Sequence, residues 1–258
     1  MPSAALVSNR PGLRFQRRVH AARNGLVHLE QRIQSRGVIE RAIVTGEFWI
    51  FAAVTEETGL TEARTEVGFL PWPRRRVFLI PPRSLLRLRL SDVCLASIGV
   101  ISRVVLPAPL ACAPCVAALA DGALPPCDLE QICAALAEAV PFDPDAGVSA
   151  FAREARQRLH QAVAHPSPVR EVARAMRVAP DTVTRLFRSA YCITPKAYVQ
   201  SARISDAVLS LTTGASVLRA ACEAGFNDLS RFYQAFRRLT GNTPGQYAVL
   251  HDRKAPRP

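Results

Sequence analysis

The sequence predicts an α+β chain: a β-rich N-terminal domain with helices after it, then an all-α C-terminal domain that uses one two-helix unit twice. Three observations predict it. Short β-branched runs cut by Gly and Pro fill residues 38–101. An acidic, proline-punctuated block follows at 121–150. Beyond it, the last hundred residues repeat themselves at a fixed offset of 49.

The strand candidates are 38–45, 48–54, 65–70, 77–80, 85–90 and 94–101, with Gly46, Gly59, Pro71, Pro73 and Pro81-Pro82 between them. Strands at such regular spacing suggest a small antiparallel barrel or sandwich. Cys94, within one of these runs, is expected in its core. Two short helices are expected next, at 114–120 and 128–140. In the second, Leu129, Ile132, Cys133, Leu136 and Val140 form one apolar stripe, suited equally to its own β-domain or to a second subunit.

Charge divides the chain in the same places. Of 258 residues, 33 are basic and 21 acidic, for a net +12. Residues 1–120 carry 16 basic and 8 acidic groups, 121–150 carry 6 acidic and no basic ones, and 151–258 carry 17 and 7. The expected division is therefore a β-rich sensing or dimerisation domain at 1–120, an acidic linker with a short helix at 121–150, and a helical domain at 151–251. The basic excess argues for an anionic partner, nucleic acid before membrane surface. The longest uncharged run, 104–120, holds Pro107, Pro109 and Pro114 and is too short and broken to span a bilayer. No apolar stretch before a small-residue cleavage site opens the chain, so no secretory signal is expected. Seven cysteines make an odd count without a small disulfide framework, which fits a reduced cytoplasm.

The repeat aligns Phe187-Arg188, Thr194-Pro195 and Tyr198 with Phe236-Arg237, Thr243-Pro244 and Tyr247. Each copy reads as two helices joined by a tight turn. In the first, Ser167 caps a helix that starts on Pro168, with Val169, Val172, Ala173 and Met176 at buried-stripe spacing. Arg177-Val178-Ala179 makes the turn, and a second helix over 180–191 turns Val183, Leu186 and Phe187 inward. In the second copy Ser216 caps a helix holding Val217, Leu218, Ala221 and Cys222. Gly225-Phe226-Asn227 turns the chain into a helix over 229–239, with Phe232, Phe236 and Leu239 inward. A helix with Tyr198, Ala202, Val208 and Leu211 as its apolar positions joins the copies. A plain helical bundle would explain one copy. Two basic copies at one offset favour a pair of helix-turn-helix units that bind DNA.

At these residues the chain resembles the DNA-binding domain of AraC/XylS-type transcription regulators over its last two-fifths. The motifs are Ala224-Gly225-Phe226, Ser230-x-Phe232-x-x-x-Phe236-Arg237 and Gly241-x-Thr243-Pro244-x-x-Tyr247, with Thr184-Arg185-Leu186-Phe187-Arg188 and Thr194-Pro195-Lys196-Ala197-Tyr198 in the first copy and Arg203 and Ala207 between. Some positions depart from the family. Arg177 and Ala179 stand where Gly and Ser are usual, and Cys192 where a helix-ending glycine is preferred. Cys222 replaces a small alanine expected at a helix crossing. The resemblance implies that each second helix enters the major groove, with base-facing positions Asp181, Thr184 and Arg185, then Leu229, Ser230, Arg231 and Gln234. Arg185 or Arg231 suits guanine, Gln234 adenine and Leu229 a thymine methyl, while Asp181 serves either a cytosine amino group or its own helix N-terminus. Arg188, Lys196, Arg237 and Arg238 are assigned to phosphates.

The family also implies a cupin-like barrel ahead of this domain, to which Phe78-Leu79-Ile80-Pro81-Pro82 is similar. It implies double-stranded DNA and RNA polymerase as partners, with a small-molecule effector and a second copy as candidates, and activation rather than repression. No cofactor and no catalysis are expected. The stretch 37–101 holds no histidine for cupin-type metal chemistry, and there is no phosphate loop or nucleophile elbow. Two alternatives remain: a thiol- or metal-responsive regulator using Cys112, Cys115, Cys127 and Cys133, or a cupin-type enzyme fused to a DNA-binding domain.

Overall fold

A computed structural model describes residues 5–10, 12–23, 26–65, 68–103, 114–119, 131, 134–137 and 139–252. The N-terminal part is one antiparallel sheet of β1 (Ala5–Arg10), β2 (Leu13–Arg23), β3 (Leu26–Ser35), β4 (Val38–Val44), β5 (Trp49–Thr65), β6 (Gly68–Pro71), β7 (Arg76–Ile80), β8 (Leu85–Ser102), β9 (Cys115–Ala118) and β10 (Val140–Pro141). Its spine is the β5–β8 pair, which runs from Trp49↔Ser102 to Ala63↔Leu88. The other edge of β8 is shared, with β3 opposite 94–102 and β4 opposite 85–91. The far edge of β5 is shared likewise by β7 and β6, and β9 and β10 extend the sheet beyond β7.

Several expectations change here. The runs 85–90 and 94–101 are a single strand: Ser91 keeps its ladder places opposite Val38 and Leu60, and Asp92, at φ 49° where the register with β5 shifts, donates its N–H to Gly37 O. The run 48–54 continues to Thr65, and the strand expected at 65–70 is the short return β6. β1, β2 and β3 were not expected at all. Arg14, Arg17, Arg18, Glu30 and Arg32 interrupt their apolar runs, yet Leu13 is buried while Arg14 and Arg18 face outward, which is the period-two signature of a half-buried strand. The helix expected at 114–120 is strand β9, since pairing with the open edge of β7 overrides the helix preference of its alanines. Cys94 is exposed on β8, where Gln34 Nε2 donates to its sulfur at 3.7 Å, and is not core. Of the expected stripe, Leu136 is fully buried under this chain's own sheet with Trp49, Phe51, Val77, Leu79 and Cys115. Val140 lies exposed in β10 instead, and Leu129, Ile132 and Cys133 fall outside the described residues.

The C-terminal part is helical throughout: α1 (Ala150–Gln161), α2 (Pro168–Ala175), α3 (Pro180–Tyr191), α4 (Pro195–Thr212), α5 (Val217–Glu223), α6 (Leu229–Thr240) and α7 (Pro244–Asp252). Two buried clusters organise it, and each takes in residues of the sheet. One joins Ala152, Ala155 and Leu159 of α1 to Val172, Val183, Phe187 and Tyr198, with Val44 and Leu85. The other joins Ile204 and Leu211 of α4 to Ala221, Phe232, Phe236 and Tyr247, with Val27, Phe48 and Ile101. The helical domain is thus seated on the sheet through both of its halves.

Candidate nucleic-acid interface

The two expected units are α2–α3 and α5–α6, and α4 joins them. Side-chain caps start α4, α5 and α6. Thr194 Oγ1 accepts from Ala197 N–H at 3.2 Å and Ser216 Oγ from Arg219 N–H at 3.2 Å. Asp228, which sequence reasoning passed over, accepts from the N–H groups of Ser230 and Arg231 and starts α6. Ser167 precedes α2 without the expected side-chain cap bond, and Ala179 offers none to α3.

The family departures have a conformational consequence. Arg177 sits at φ 54° and Cys192 at φ 56°, both left-handed; in the second unit Gly225 at φ 75° follows the end of α5 as Arg177 follows that of α2, and Gly241 at φ 78° stands 49 residues after Cys192. A side chain at 225 would also crowd Ala164 O at 3.3 Å. That approach is pinned by Arg203 of α4, which donates to Val163 O at 2.7 Å and His165 O at 2.8 Å and lies over the Phe226 ring at 5.6 Å. Cys222 is exposed and does not sit at a helix crossing, and Leu218 is 60% exposed; Ala220 and Ala221 are the buried pair of α5.

On α3, Val183 and Phe187 are buried while Asp181, Arg185 and Arg188 are exposed. Together with Thr184, Ser189 and Cys192 they line one shallow outward concavity. Thr184 Oγ1 donates back to Pro180 O at 3.0 Å, so its hydroxyl offers a ligand only lone pairs. On α6, Phe232 and Phe236 are buried while Leu229, Ser230, Arg231, Gln234, Arg237 and Arg238 are exposed. Asp228 Oδ2 lies 3.6 Å from Arg231 Nε, and Gln200 Oε1 accepts from Arg238 Nη2. Between the units lies a basic concavity of about 1140 Å³ lined by Arg170, Lys196, Arg203, Arg231 and Arg238. The phosphate-assigned Lys196 and Arg238 and the base-assigned Arg231 and Gln234 all border it, whereas Asp181, Thr184, Arg185 and Arg188 share the separate surface of α3.

Two further features sit between sheet and helices. A cleft of about 480 Å³ is lined by Phe15, Arg17, Arg41, Phe48, Ile204 and Tyr247 among others, and Arg17 Nε is buried there without a hydrogen-bond partner. Glu47 stands at the seam with Arg83, His160 and Asp206. Neither was legible beforehand.

Of the proposed thiol set, Cys112, Cys127 and Cys133 fall outside the described residues. Cys115 is buried, and burial pushes its thiol up, the environment of a packing residue rather than a reactive one. Among the described residues no group of His, Cys, Asp or Glu is arranged to hold a metal, and no helix is long and apolar enough to cross a membrane.

A helix-turn-helix domain family matches residues 172–249. No curated protein matches the chain. Among solved structures, ToxT from Vibrio cholerae O395 bound to (E)-4-(8-methylnaphthalen-1-yl)but-3-enoic acid is similar over 88% of this chain and 99% of its own, at 11% identity and a TM-score of 0.50. A probable AraC family transcriptional regulator from Rhodopseudomonas palustris CGA009 covers 42% of this chain and 100% of its own at 21% identity and TM-score 0.37. The C-terminal domain of AraT, a response regulator from Geobacillus stearothermophilus, covers 40% and 86% at 23% identity and TM-score 0.38. With the tandem units and their joining helix in place, the chain carries a C-terminal helix-turn-helix domain.

Proposed function

We propose that the protein is a sequence-specific DNA-binding transcription regulator that reads two successive major-groove segments and is controlled through its N-terminal domain. One observation carries this reading: α3 and α6 each bury an aromatic face and leave a polar, arginine-bearing face uncovered at the same repeat offset. Asp181, Thr184 and Arg185 are the base-reading residues of α3, and Leu229, Ser230, Arg231 and Gln234 those of α6. Arg188, Lys196, Arg237 and Arg238 hold phosphates. Activation through RNA polymerase, action in the cytoplasm and pairing with a second copy belong to the same reading.

The interdomain cleft is the effector site in this reading. Its apolar walls and the unpartnered Arg17 Nε suit a small apolar carboxylate, the class of the acid bound to ToxT. Selection of genomic fragments bound by the full chain tests the function. Enrichment of one motif with two elements about 10 bp apart is expected, one helical turn between grooves. Binding that enriches no motif and merely falls with salt would leave a nonspecific anchor and overturn the proposal.

A further inference from the structure

The turn between β4 and β5 meets the helical domain more closely than any side chain would permit. A Cβ on Gly46 would fall 2.0 Å from Asp206 Oδ1 and 2.7 Å from its Cγ. The next residue completes the contact, as Glu47 N–H donates to Asp206 Oδ1 at 2.8 Å. The Glu47 carboxylate then accepts from Arg83 Nη2 at 2.8 Å and meets His160 Nε2 at 2.9 Å, while His160 Nδ1 lies 3.3 Å from the Tyr198 hydroxyl. Ser205 Oγ donates to Val44 O at 2.8 Å and Arg156 Nη1 to Arg83 O at 3.2 Å. One corner of the sheet thereby holds α1, which packs with the first unit, and α4, which both units share.

We infer that this corner is an interdomain latch that fixes α1 and α4 on the N-terminal domain, and that opening it raises the protein's affinity for DNA. The inference rests on the DNA-binding reading above. The base- and phosphate-assigned residues of α3 and α6 stay exposed with the latch closed, so docking does not cover them. What it restrains is the helix that sets the two units relative to each other. Placing both units in successive grooves has to work against that restraint, whereas a released α4 adjusts freely.

The make-up of the seam fits a contact meant to open. Phe48, Val44 and Leu85 supply apolar burial. Against them, half-buried Asp206 and buried His160 are groups whose charged forms water would hold better, flanked by Glu47, Arg83, Arg103, Arg156 and Tyr198. A permanent joint would replace such groups with apolar ones.

The test uses the full chain with Gly46→Ala and, as a variant that leaves the turn intact, Asp206→Ala. Hydrogen–deuterium exchange over residues 44–48 and 198–210 reports the seam. Titration with a duplex bearing the enriched motif reports affinity. Faster exchange in both regions with affinity at least about fivefold tighter is expected, the low end of usual coupling between sites. The double variant should match Asp206→Ala alone, because removing the carboxylate removes the clash. Unchanged exchange, or faster exchange with equal or weaker affinity, overturns the latch. A wild-type chain that selects no motif overturns the DNA-binding reading instead.

Discussion

Phe236 stands edge-on to Tyr247 with 5.2 Å between ring centroids. Forty-nine residues earlier in each case, Phe187 meets Tyr198 in the same manner at 5.7 Å. The repeat is therefore a repeat of packing, and both phenylalanines are fully buried. Truncating either to alanine should cost about 3–5 kcal/mol, the usual range for a buried aromatic. Urea unfolding followed by circular dichroism measures it. A loss below 1 kcal/mol at either site would mean that its unit does not depend on the pair.

The first unit is built with strain that the second avoids. Arg177 and Cys192 hold left-handed backbone that costs an L-residue about 1–2 kcal/mol, and glycine relieves it at the expense of about 0.5–1 kcal/mol of chain entropy. Arg177→Gly and Cys192→Gly should each stabilise by about 0.5 kcal/mol on that balance. Ala179→Ser should add about 1 kcal/mol by capping α3. Thermal unfolding of the triple variant should move up by a few degrees. No rise would show that neighbouring contacts already absorb the strain.

The helical domain was legible because its signals are local. Capping residues, a turn and an aromatic stripe lie within one unit, and the second unit repeats them. The sheet was half legible: β7 carries the continuous apolar run 77–80 and β4 has apolar residues at both ends, but β2 and β3 hide theirs among charged and polar residues. Ser167 looks like a cap and makes no cap bond, while Asp228, masked by the glycine turn beside it, makes two. The seam left no periodic trace at all. Glu47 and Asp206 are 159 residues apart, and their pairing depends on the docking of two domains. In the sequence Gly46 reads as ordinary turn punctuation, and only its close approach to Asp206 sets it apart.

The exposed arginines divide into two expected behaviours. Arg185→Ala and Arg231→Ala should each lose about 1–3 kcal/mol of affinity for the selected motif and relax preference at one base pair. Arg188→Ala and Arg237→Ala should weaken binding to all sequences alike and reduce the salt slope by about one. Titrations at several salt concentrations on matched and mutated duplexes separate the two. If Arg185→Ala behaves like Arg188→Ala, α3 grips the backbone and does not read bases.

Asp206 supplies a pH dependence with a definite sign. Burial pushes its carboxyl from the ordinary 3.8 up to about 6, so the folded chain holds this proton more tightly than the unfolded one. The stability it contributes is present below 3.8 and is lost as pH rises to about 6, roughly 3 kcal/mol across that window. His160 acts oppositely, since burial lowers it below its usual 6.5 and stability falls as acid forces a proton onto it. Asp206→Asn isolates the first effect: the amide oxygen can still accept from Glu47 N–H, and no charge has to be buried. The variant should exceed the wild type in stability at pH 8, and the gap should close by pH 4. Urea unfolding of both proteins across this range checks it, and a gap that is constant with pH would show that Asp206 is not buried against the seam in solution.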